Sequence, residues 1–287
     1  MSLRWWPAPA KLNLGLRIVG RRDDGYHLLQ TIFQIIDLGD ELAFEPSSSG
    51  LVQRATVEGS EAPSMADFDP SQDLTVRAAE ALRRAAGLRA GVRIHLRKRV
   101  PLGGGLGGGS SDAATTLRVL DRLWGADLGV DRLAEIGLAL GADVPVFVRG
   151  KSAVGEGVGE KLTPIALPEC CFLVLHPGVP VATGDVFQAP ELTRNSAILT
   201  IPALLASGDL NDCEPVVRQR VPQVAAALDW LGDFAKAQLT GTGACIFARF
   251  ASAESAVDVA RRVPQPWRAW VARGLSESPL LRRLEEL

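Results

Sequence analysis

The chain contains the stretch PLGGGLGGGSSDAA at residues 101–114, and this stretch decides how the rest of the sequence is interpreted. Six of the seven residues from 103 to 109 are glycine. Because glycine has no Cβ, successive backbone N–H groups of such a loop can approach an anion closely. Alternating apolar residues at 92–96 predict a strand before the loop, and Ser110, Ser111 and Asp112 are residue types that cap a following helix. We therefore predict a phosphate-binding loop at a helix N-terminus rather than a flexible linker.

Two widespread phosphate-binding motifs match this region only in part. Gly103, Gly105 and Gly108 satisfy the dinucleotide pattern formally, but a glycine-dense loop matches almost any glycine pattern, and no βαβ unit is evident around it. Residues 150–152 end like a Walker loop, yet Pro145 stands where its first glycine should be. A nicotinamide-dependent oxidoreductase therefore remains an alternative only because the glycine spacing matches the dinucleotide pattern formally.

Composition excludes several classes of protein. The 287 residues are 47% hydrophobic, with 31 basic and 33 acidic residues and a net charge of −2. These values argue against a disordered chain, a coiled coil and a protein that binds nucleic acid through bulk charge. No apolar run approaches the roughly 18 residues that span a bilayer, no signal peptide is apparent, and the four cysteines lack a CxxC spacing. We expect a reduced cytoplasmic protein without a zinc site and with no nucleic-acid or membrane partner; the oligomeric state is not indicated.

Hydrophobic periodicity predicts an α+β chain. The predicted strands are 12–19, 31–38, 41–44, 51–57, 92–96, 171–175, 244–250 and 267–272, with a turn at 37–40. The predicted helices are 73–86, the one after the glycine loop, 131–140 with Asp131 as N-cap, 201–206, 215–221, 223–231 and 253–262. The pattern restarts after the glycines near residue 155, so we predict two domains, residues 1–157 and 158–287.

Three segments together resemble one family. The 101–111 segment resembles the Pro-x-x-x-Gly-Leu-Gly signature of the GHMP kinases. PAKLNLGL at 9–16, with GRRDDGYH at 20–27, and LTGTGACIFA at 239–248 resemble the first and third motifs of the 4-diphosphocytidyl-2-C-methyl-D-erythritol kinase family. The segments occur in the family's order and spacing, so the resemblance covers essentially the whole chain.

The resemblance implies a fold and a reaction. The fold would be the two-domain α+β GHMP kinase fold, with an N-terminal domain like domain 2 of ribosomal protein S5 and a ferredoxin-like C-terminal domain. The reaction would be the ATP- and Mg²⁺-dependent phosphorylation of the 2-hydroxyl of 4-diphosphocytidyl-2-C-methyl-D-erythritol, in the non-mevalonate isoprenoid pathway. A kinase of mevalonate, phosphomevalonate or homoserine, and a non-catalytic nucleotide-binding regulator on the same fold, stay open as alternatives.

The resemblance also implies the catalytic and nucleotide-binding residues. A strand lysine such as Lys11 is usually a surface residue, and Asp143 by itself suggests a turn or a cap. The resemblance implies that Lys11 stabilises charge at the reacting hydroxyl. GADVP at 141–145 is similar to the family's Gly-x-Asp-x-Pro segment, which implies that Asp143 is the catalytic carboxylate that accepts or orients the hydroxyl proton. No metal ligands are indicated. The residues expected at the nucleotide are Lys98, Pro101, Gly103, Gly104, Gly105, Leu106, Gly107, Gly108, Gly109, Ser110 and Ser111.

The substrate site is likewise implied by the resemblance. Tyr26 and Phe187 would enclose the cytosine ring, and His27 would meet the edge of the base. The family usually has asparagine near the adenine where this chain has Asp73, which puts that contact in doubt. The residues expected at the substrate are Asn13, Tyr26, His27, Phe187, Gly241, Thr242 and Gly243.

Overall fold

Ten strands form the sheet of the computed structural model, which describes residues 3–61, 72–207 and 210–287. The strands are β1 (Trp5–Arg21), β2 (His27–Ser47), β3 (Val52–Glu58), β4 (Gly91–Arg97), β5 (Ala153–Gly157), β6 (Lys161–Pro164), β7 (Cys171–His176), β8 (Ala237–Leu239), β9 (Ile246–Phe250) and β10 (Arg268–Leu275). Their order across the sheet is β3-β4-β2-β10-β7-β9-β8, with β1 and β5 also paired to β2 and β6 paired to β5. All these pairs are antiparallel except β3 with β4.

Helices cover the sheet and confirm the α+β prediction. They are α1 (Leu74–Ala85), α2 (Gly108–Leu123), α3 (Val130–Leu138), α4 (Val144–Arg149), α5 (Thr183–Gln188), α6 (Ile201–Ser207), α7 (Glu214–Arg220), α8 (Pro222–Gly232), α9 (Ala253–Ala260) and α10 (Pro279–Leu284). The sequence patterns did not predict α4, α5, α10, β5, β6 or β8, all of them six residues long or shorter. No helix in the described ranges is long and apolar enough to cross a bilayer.

The predicted turn at 37–40 is wrong, because β2 continues through it. Gly39 faces Pro9 of β1, and the register between the two strands shifts between Pro9 and Lys11. A Cβ on Gly39 would lie 2.7 Å from the carbonyl oxygen of Ala8. The glycine that suggested a turn therefore permits the close approach of a bulged neighbouring strand.

Two predicted helix caps are also wrong. The helix after the glycine loop begins inside the glycine run, with Gly107 as a left-handed N-cap, so Ser110, Ser111 and Asp112 lie within its first turns rather than before it. The next helix has Gly129 as its N-cap. In both cases a glycine backbone sets the start of the helix, and the N-cap makes no side-chain hydrogen bond.

The hydrophobic core links the two ends of the chain. One group of buried side chains comes from α1 to α4 and from strands β1, β2 and β4, and it joins Trp6 near the start of the chain to Leu280 and Leu284 of α10; another comes mainly from β7, β9, α7, α8 and α9. Strand β10 pairs with β7 along its length and meets β2 at its end. The domain boundary at residue 157 falls between β5 and β6, which pair as a hairpin; that boundary stays a prediction.

Candidate active site

The three sequence motifs meet through backbone hydrogen bonds. The Lys11 N–H of β1 donates to the Leu106 carbonyl of the glycine loop at 3.0 Å, and the Cys245 N–H donates to the Gly104 carbonyl at 3.0 Å. The Thr240 hydroxyl accepts the Asn13 N–H at 3.0 Å, which joins β1 to the segment after β8. Segments that are more than 90 residues apart in the chain therefore form one framework around the glycine loop.

Left-handed backbone shapes that loop. Gly103, Gly105 and Gly107 have φ values of +65°, +73° and +72°. A Cβ on Gly105 would overlap the Thr240 carbonyl oxygen, and a Cβ on Gly107 would lie 2.9 Å from the Phe147 ring. Both positions therefore require bare backbone, as a close phosphate contact also does.

Lys11 and Asp143 form an ion pair beside the loop. The Lys11 ammonium is 3.2 Å from Asp143 Oδ2, donates to the Gly105 carbonyl at 3.0 Å and also donates to Asn13 Oδ1. These three oxygens account for its three N–H donors. Lys11 is buried, whereas about one third of the Asp143 side chain is exposed. The pair therefore offers a carboxylate to a ligand from one side, with a fixed ammonium group behind it.

Asn13 is held by a further set of hydrogen bonds. Its amide donates to the Thr31 hydroxyl at 2.9 Å, and that hydroxyl donates to the Gly15 carbonyl at 2.6 Å. Because the amide nitrogen is engaged with Thr31, the amide oxygen is the atom presented to Lys11. The geometry thus orients Lys11 through Asn13, a role that the resemblance did not imply.

A buried ionic cluster lies beneath the glycine loop. The Lys98 ammonium contacts the carboxyl groups of Asp40 and of Asp112, the latter at 3.0 Å. Asp40 also accepts the N–H groups of Arg99 and Val100 at 2.6 and 2.9 Å. Burial raises the pKa of Asp112 to about 8, against the opposing charge of Lys98. The expected contact of Lys98 with the nucleotide is not supported, because the carboxyl groups of Asp40 and Asp112 enclose its ammonium group.

Asp73 has a structural explanation. One carboxylate oxygen accepts the N–H and the hydroxyl of Thr75 at 2.9 and 2.7 Å, which caps α1. The other lies 3.3 Å from the Arg54 guanidinium. Asp73 therefore caps the N-terminus of α1 and forms an ion pair with Arg54.

A cavity of about 570 Å³ opens next to the Lys11–Asp143 pair. The expected site residues that line it are Lys11, Asn13, Tyr26, His27, Gly105, Gly107, Asp143, Phe187, Gly241 and Thr242. The other expected residues of the glycine loop, together with Gly243, belong to the surrounding framework. Lys98 lies apart in its ionic cluster.

The far end of the cavity differs from the expected aromatic sandwich. Phe187 stacks on His27, with ring centroids 4.9 Å apart and planes at 21°, rather than facing Tyr26. Tyr26 is 63% exposed at the rim. Arg194 donates to His27 Nε2 at 3.1 Å. Burial lowers the pKa of His27, and the positive charges of Arg194 and Arg21 lower it further.

Sequence reasoning missed Asp40, Thr240 and Arg194. Each acts through a partner 58 or more residues away, and none stands in a local pattern that indicates its role. Thr240 lies within the quoted 239–248 segment, so only its hydroxyl contact was missed. For the other two residues, no signal in a single sequence identifies the partner.

Comparison with known proteins points to one family. The family models described as "GHMP kinases N terminal domain" and "GHMP kinases C terminal" match residues 73–151 and 189–269. A protein of Chromohalobacter salexigens named 4-diphosphocytidyl-2-C-methyl-D-erythritol kinase is 54% identical over 280 residues, which cover 96% of this chain and 92% of the relative. Its namesake from Alkalilimnicola ehrlichii is 55% identical over 284 residues, with coverages of 98% and 94%.

Solved structures show the same relationship. A crystal structure of 4-(cytidine 5'-diphospho)-2C-methyl-D-erythritol kinase aligns with a TM-score of 0.77 at 34% identity, covering 94% of this chain and 99% of that one. Homoserine kinase from Cytophaga hutchinsonii aligns with a TM-score of 0.67 at 16% identity, covering 96% and 95%. At that identity the likeness shows the fold alone.

Proposed function

We propose a function for the site on the premise that the chain belongs to the GHMP kinases and, among them, to the 4-diphosphocytidyl-2-C-methyl-D-erythritol kinases. The protein transfers the γ-phosphoryl group of ATP to the 2-hydroxyl of 4-diphosphocytidyl-2-C-methyl-D-erythritol, a step of the non-mevalonate route to isoprenoid precursors. One observation carries the proposal. The Lys11–Asp143 pair stands at 3.2 Å in a cavity that is bordered by bare glycine backbone and, further along, by the His27–Phe187 stack.

The glycine loop fits the phosphates of ATP. Gly105 and Gly107 leave no space for a Cβ, and the loop leads directly into the N-terminus of the 16-residue helix α2. The Ser111 hydroxyl in the first turn is buried and has no hydrogen-bond partner among the described residues. Free N–H groups, the helix dipole and an unpaired hydroxyl are donors that suit a phosphate group.

Mg²⁺ would be held mainly through the nucleotide. The described residues contain no group of three or more His, Cys, Asp or Glu side chains arranged to hold a metal ion. Mg²⁺ commonly binds through substrate phosphates, several waters and one or two carboxylates, so the partly exposed Asp143 is the carboxylate best placed to contribute. When bound, Mg²⁺-ATP supplies the phosphoryl group and neutralises part of its charge.

Lys11 and Asp143 act on the substrate hydroxyl. Asp143 accepts a hydrogen bond from the hydroxyl and fixes its direction, and it can take the proton as the oxygen becomes a nucleophile. Lys11 stabilises the negative charge that develops on the oxygen. Because the transition state of phosphoryl transfer is loose, orientation and charge stabilisation contribute more than proton removal does.

The aromatic end of the cavity suits the cytosine ring. Phe187 and His27 form a stacked wall, and the exposed ring of Tyr26 at the rim is available to cover the base. Stacking of a base on an aromatic side chain contributes about 1–3 kcal/mol in single-strand nucleic-acid binding, and the same contact is expected here. Gly241 and Thr242 also line the cavity, and we expect their backbone to border the diphosphate.

The alternative functions have less support. The mevalonate and homoserine kinase structures share 15–16% identity with the chain, against 50–55% for the curated relatives. A non-catalytic regulator would not need the Lys11–Asp143 pair, which is intact. An oxidoreductase rests on the glycine spacing alone, and the strand that leads into the loop, β4, has no parallel partner after α2 among the described strands, because the next strand, β5, pairs antiparallel with β2. We also propose a cytoplasmic location, with no nucleic-acid or membrane partner.

A coupled assay of ADP release tests the proposal. The purified protein is offered Mg²⁺-ATP with 4-diphosphocytidyl-2-C-methyl-D-erythritol, mevalonate, phosphomevalonate or homoserine. We expect turnover with the first alcohol only. Turnover with another member of the panel, and not with the first, would refute the proposal.

A further inference from the structure

Arg194 joins the two aromatic residues at the far end of the cavity. It lies in the segment between α5 and α6, and its Nε–H donates to His27 Nε2 at 3.1 Å. One terminal nitrogen donates to the carbonyls of Phe187 and Ala189 at 2.9 and 2.7 Å, and the other donates to the Leu192 carbonyl at 3.0 Å. Four of the five guanidinium N–H groups are therefore engaged, which fixes the orientation of the fork.

This arrangement determines the protonation state of His27. A guanidinium group donates hydrogen bonds and accepts none, so His27 Nε2 must carry its lone pair towards Arg194. The imidazole is then neutral, with its proton on Nδ1. Burial and the positive charges of Arg194 and Arg21 lower the pKa of His27, which favours the same neutral form. The carboxylate of Asp24 also lines the cavity, but it forms an ion pair with Arg22 at 2.6 Å.

The same guanidinium also positions the stacking partner. Phe187 lies in the last turn of the six-residue helix α5, and Arg194 holds its carbonyl together with that of Ala189, the C-cap. The Phe187 ring stacks on His27 at 4.9 Å. Ring position and histidine tautomer therefore depend on one side chain.

His27 Nδ1–H is a hydrogen-bond donor left for a ligand. Among the residues that the structure describes, no atom forms a hydrogen bond with His27 Nδ1, and the residue lines the cavity. Cytosine presents N3 as an acceptor, whereas N3 of uracil carries a hydrogen. A fixed donor matches the first base and opposes the second, because two facing donors leave both unpaired.

We propose that Arg194 is a positioning residue for base selectivity. It fixes His27 as the Nδ1–H tautomer and aligns it with Phe187, so that the cavity accepts a cytidine diphosphate group and rejects the uridine equivalent. This inference rests on the proposed function for the identity of the base. Arg194 itself acts through His27 and Phe187 and is not among the residues that line the cavity.

The test begins with the tautomer, which needs no substrate. The chain has three histidines, His27, His95 and His176, so ¹⁵N NMR of the imidazoles can be assigned with one His27→Gln variant. We expect His27 to carry its proton on Nδ1 in the wild type and to titrate below its ordinary pKa. In Arg194→Met the proton should distribute over both nitrogens, and the pKa should rise.

Binding of CDP and UDP, measured by calorimetry, gives the second readout. We expect the preference of the wild type for CDP to fall by roughly tenfold or more in Arg194→Met, by the penalty for a mismatched donor, with ATP affinity unchanged. Arg194→Lys keeps the charge without the fork, so its preference should be intermediate; this variant also serves if Arg194→Met does not fold. Arg17→Gln is the control, because Arg17 donates to Ala197 of the same segment without touching His27.

Two results overturn the inference. One is a His27 tautomer that is unchanged in folded Arg194→Met. The other is a preference for CDP over UDP that Arg194→Met and Arg194→Lys retain to the same extent as the control Arg17→Gln. Neither result affects the proposed function, which the ADP-release assay of the wild type decides separately.

Discussion

Gly105→Ala and Gly103→Ala form a matched pair that isolates the packing of the glycine loop. Both glycines have left-handed backbone, with φ of +73° and +65°. The alanine Cβ at 103 meets no atom within 4 Å, whereas at 105 it overlaps the Thr240 carbonyl oxygen, a backbone atom that no side-chain rotation can move. The two substitutions therefore share the conformational cost and differ in the steric cost.

The expected magnitudes follow from these contacts. Left-handed backbone costs an L-residue about 1–2 kcal/mol, and this should be the whole loss of stability in Gly103→Ala. Overpacking adds about 1–3 kcal/mol, so Gly105→Ala should lose about 2–5 kcal/mol in total. The Gly105 carbonyl also accepts a hydrogen bond from Lys11, so displacement of the loop should lower kcat by roughly tenfold or more.

Urea unfolding followed by circular dichroism, without nucleotide, measures the stability difference, and the ADP-release assay measures kcat. The nucleotide is omitted from the unfolding experiment because a methyl group at 103 can touch a bound phosphate. Equal free energies of unfolding for the two variants would refute the reasoning from the Thr240 contact.

Three further predictions concern the catalytic pair, the aromatic wall and the buried ionic cluster. Asp143→Asn and Lys11→Ala should each lower kcat by roughly a hundredfold, through lost orientation and charge stabilisation, while calorimetry still shows ATP binding; near-normal kcat would exclude that residue from the reaction. Tyr26→Ala and Phe187→Ala should raise KM for the cytidine substrate by roughly tenfold and leave KM for ATP unchanged; the reverse pattern would mean that the two ends of the cavity are interchanged. Burial raises the pKa of Asp112 from its ordinary value of 3.8 to about 8, so the folded protein should keep a proton that the unfolded chain releases, and the unfolding free energy should fall as pH rises through this window; Asp112→Asn should remove that part of the slope, and an unchanged slope in the variant would contradict the assignment.

The sequence predicted the parts of the site that lie in motifs. Lys11, Asp143 and the glycine loop each belong to a short segment with a recognisable pattern, and the structure brings these segments together. The α+β class and the helices with strong apolar spacing were predicted for the same reason. Hydrophobic periodicity indicates the conformation of a short segment, and a motif indicates which of its residues contact the ligand.

Long-range contacts determined what could not be predicted. Asp40 looked like part of a turn because Gly39 precedes it, but pairing with β1 keeps β2 extended and directs the carboxylate to Lys98, 58 residues away. His27 has its partner, Arg194, 167 residues away. Such pairs depend on the assembled sheet, so no window of the sequence contains both members.

The most direct test of the central claim identifies the oxygen that receives the phosphoryl group. ³¹P NMR of the product made from Mg²⁺-ATP and 4-diphosphocytidyl-2-C-methyl-D-erythritol distinguishes the acceptor hydroxyls, because carbon 2 bears the methyl group and no hydrogen. We predict a new phosphomonoester resonance without three-bond coupling to a proton. A resonance split by protons, as expected from phosphorylation of another hydroxyl, or the absence of a new phosphomonoester would contradict the account.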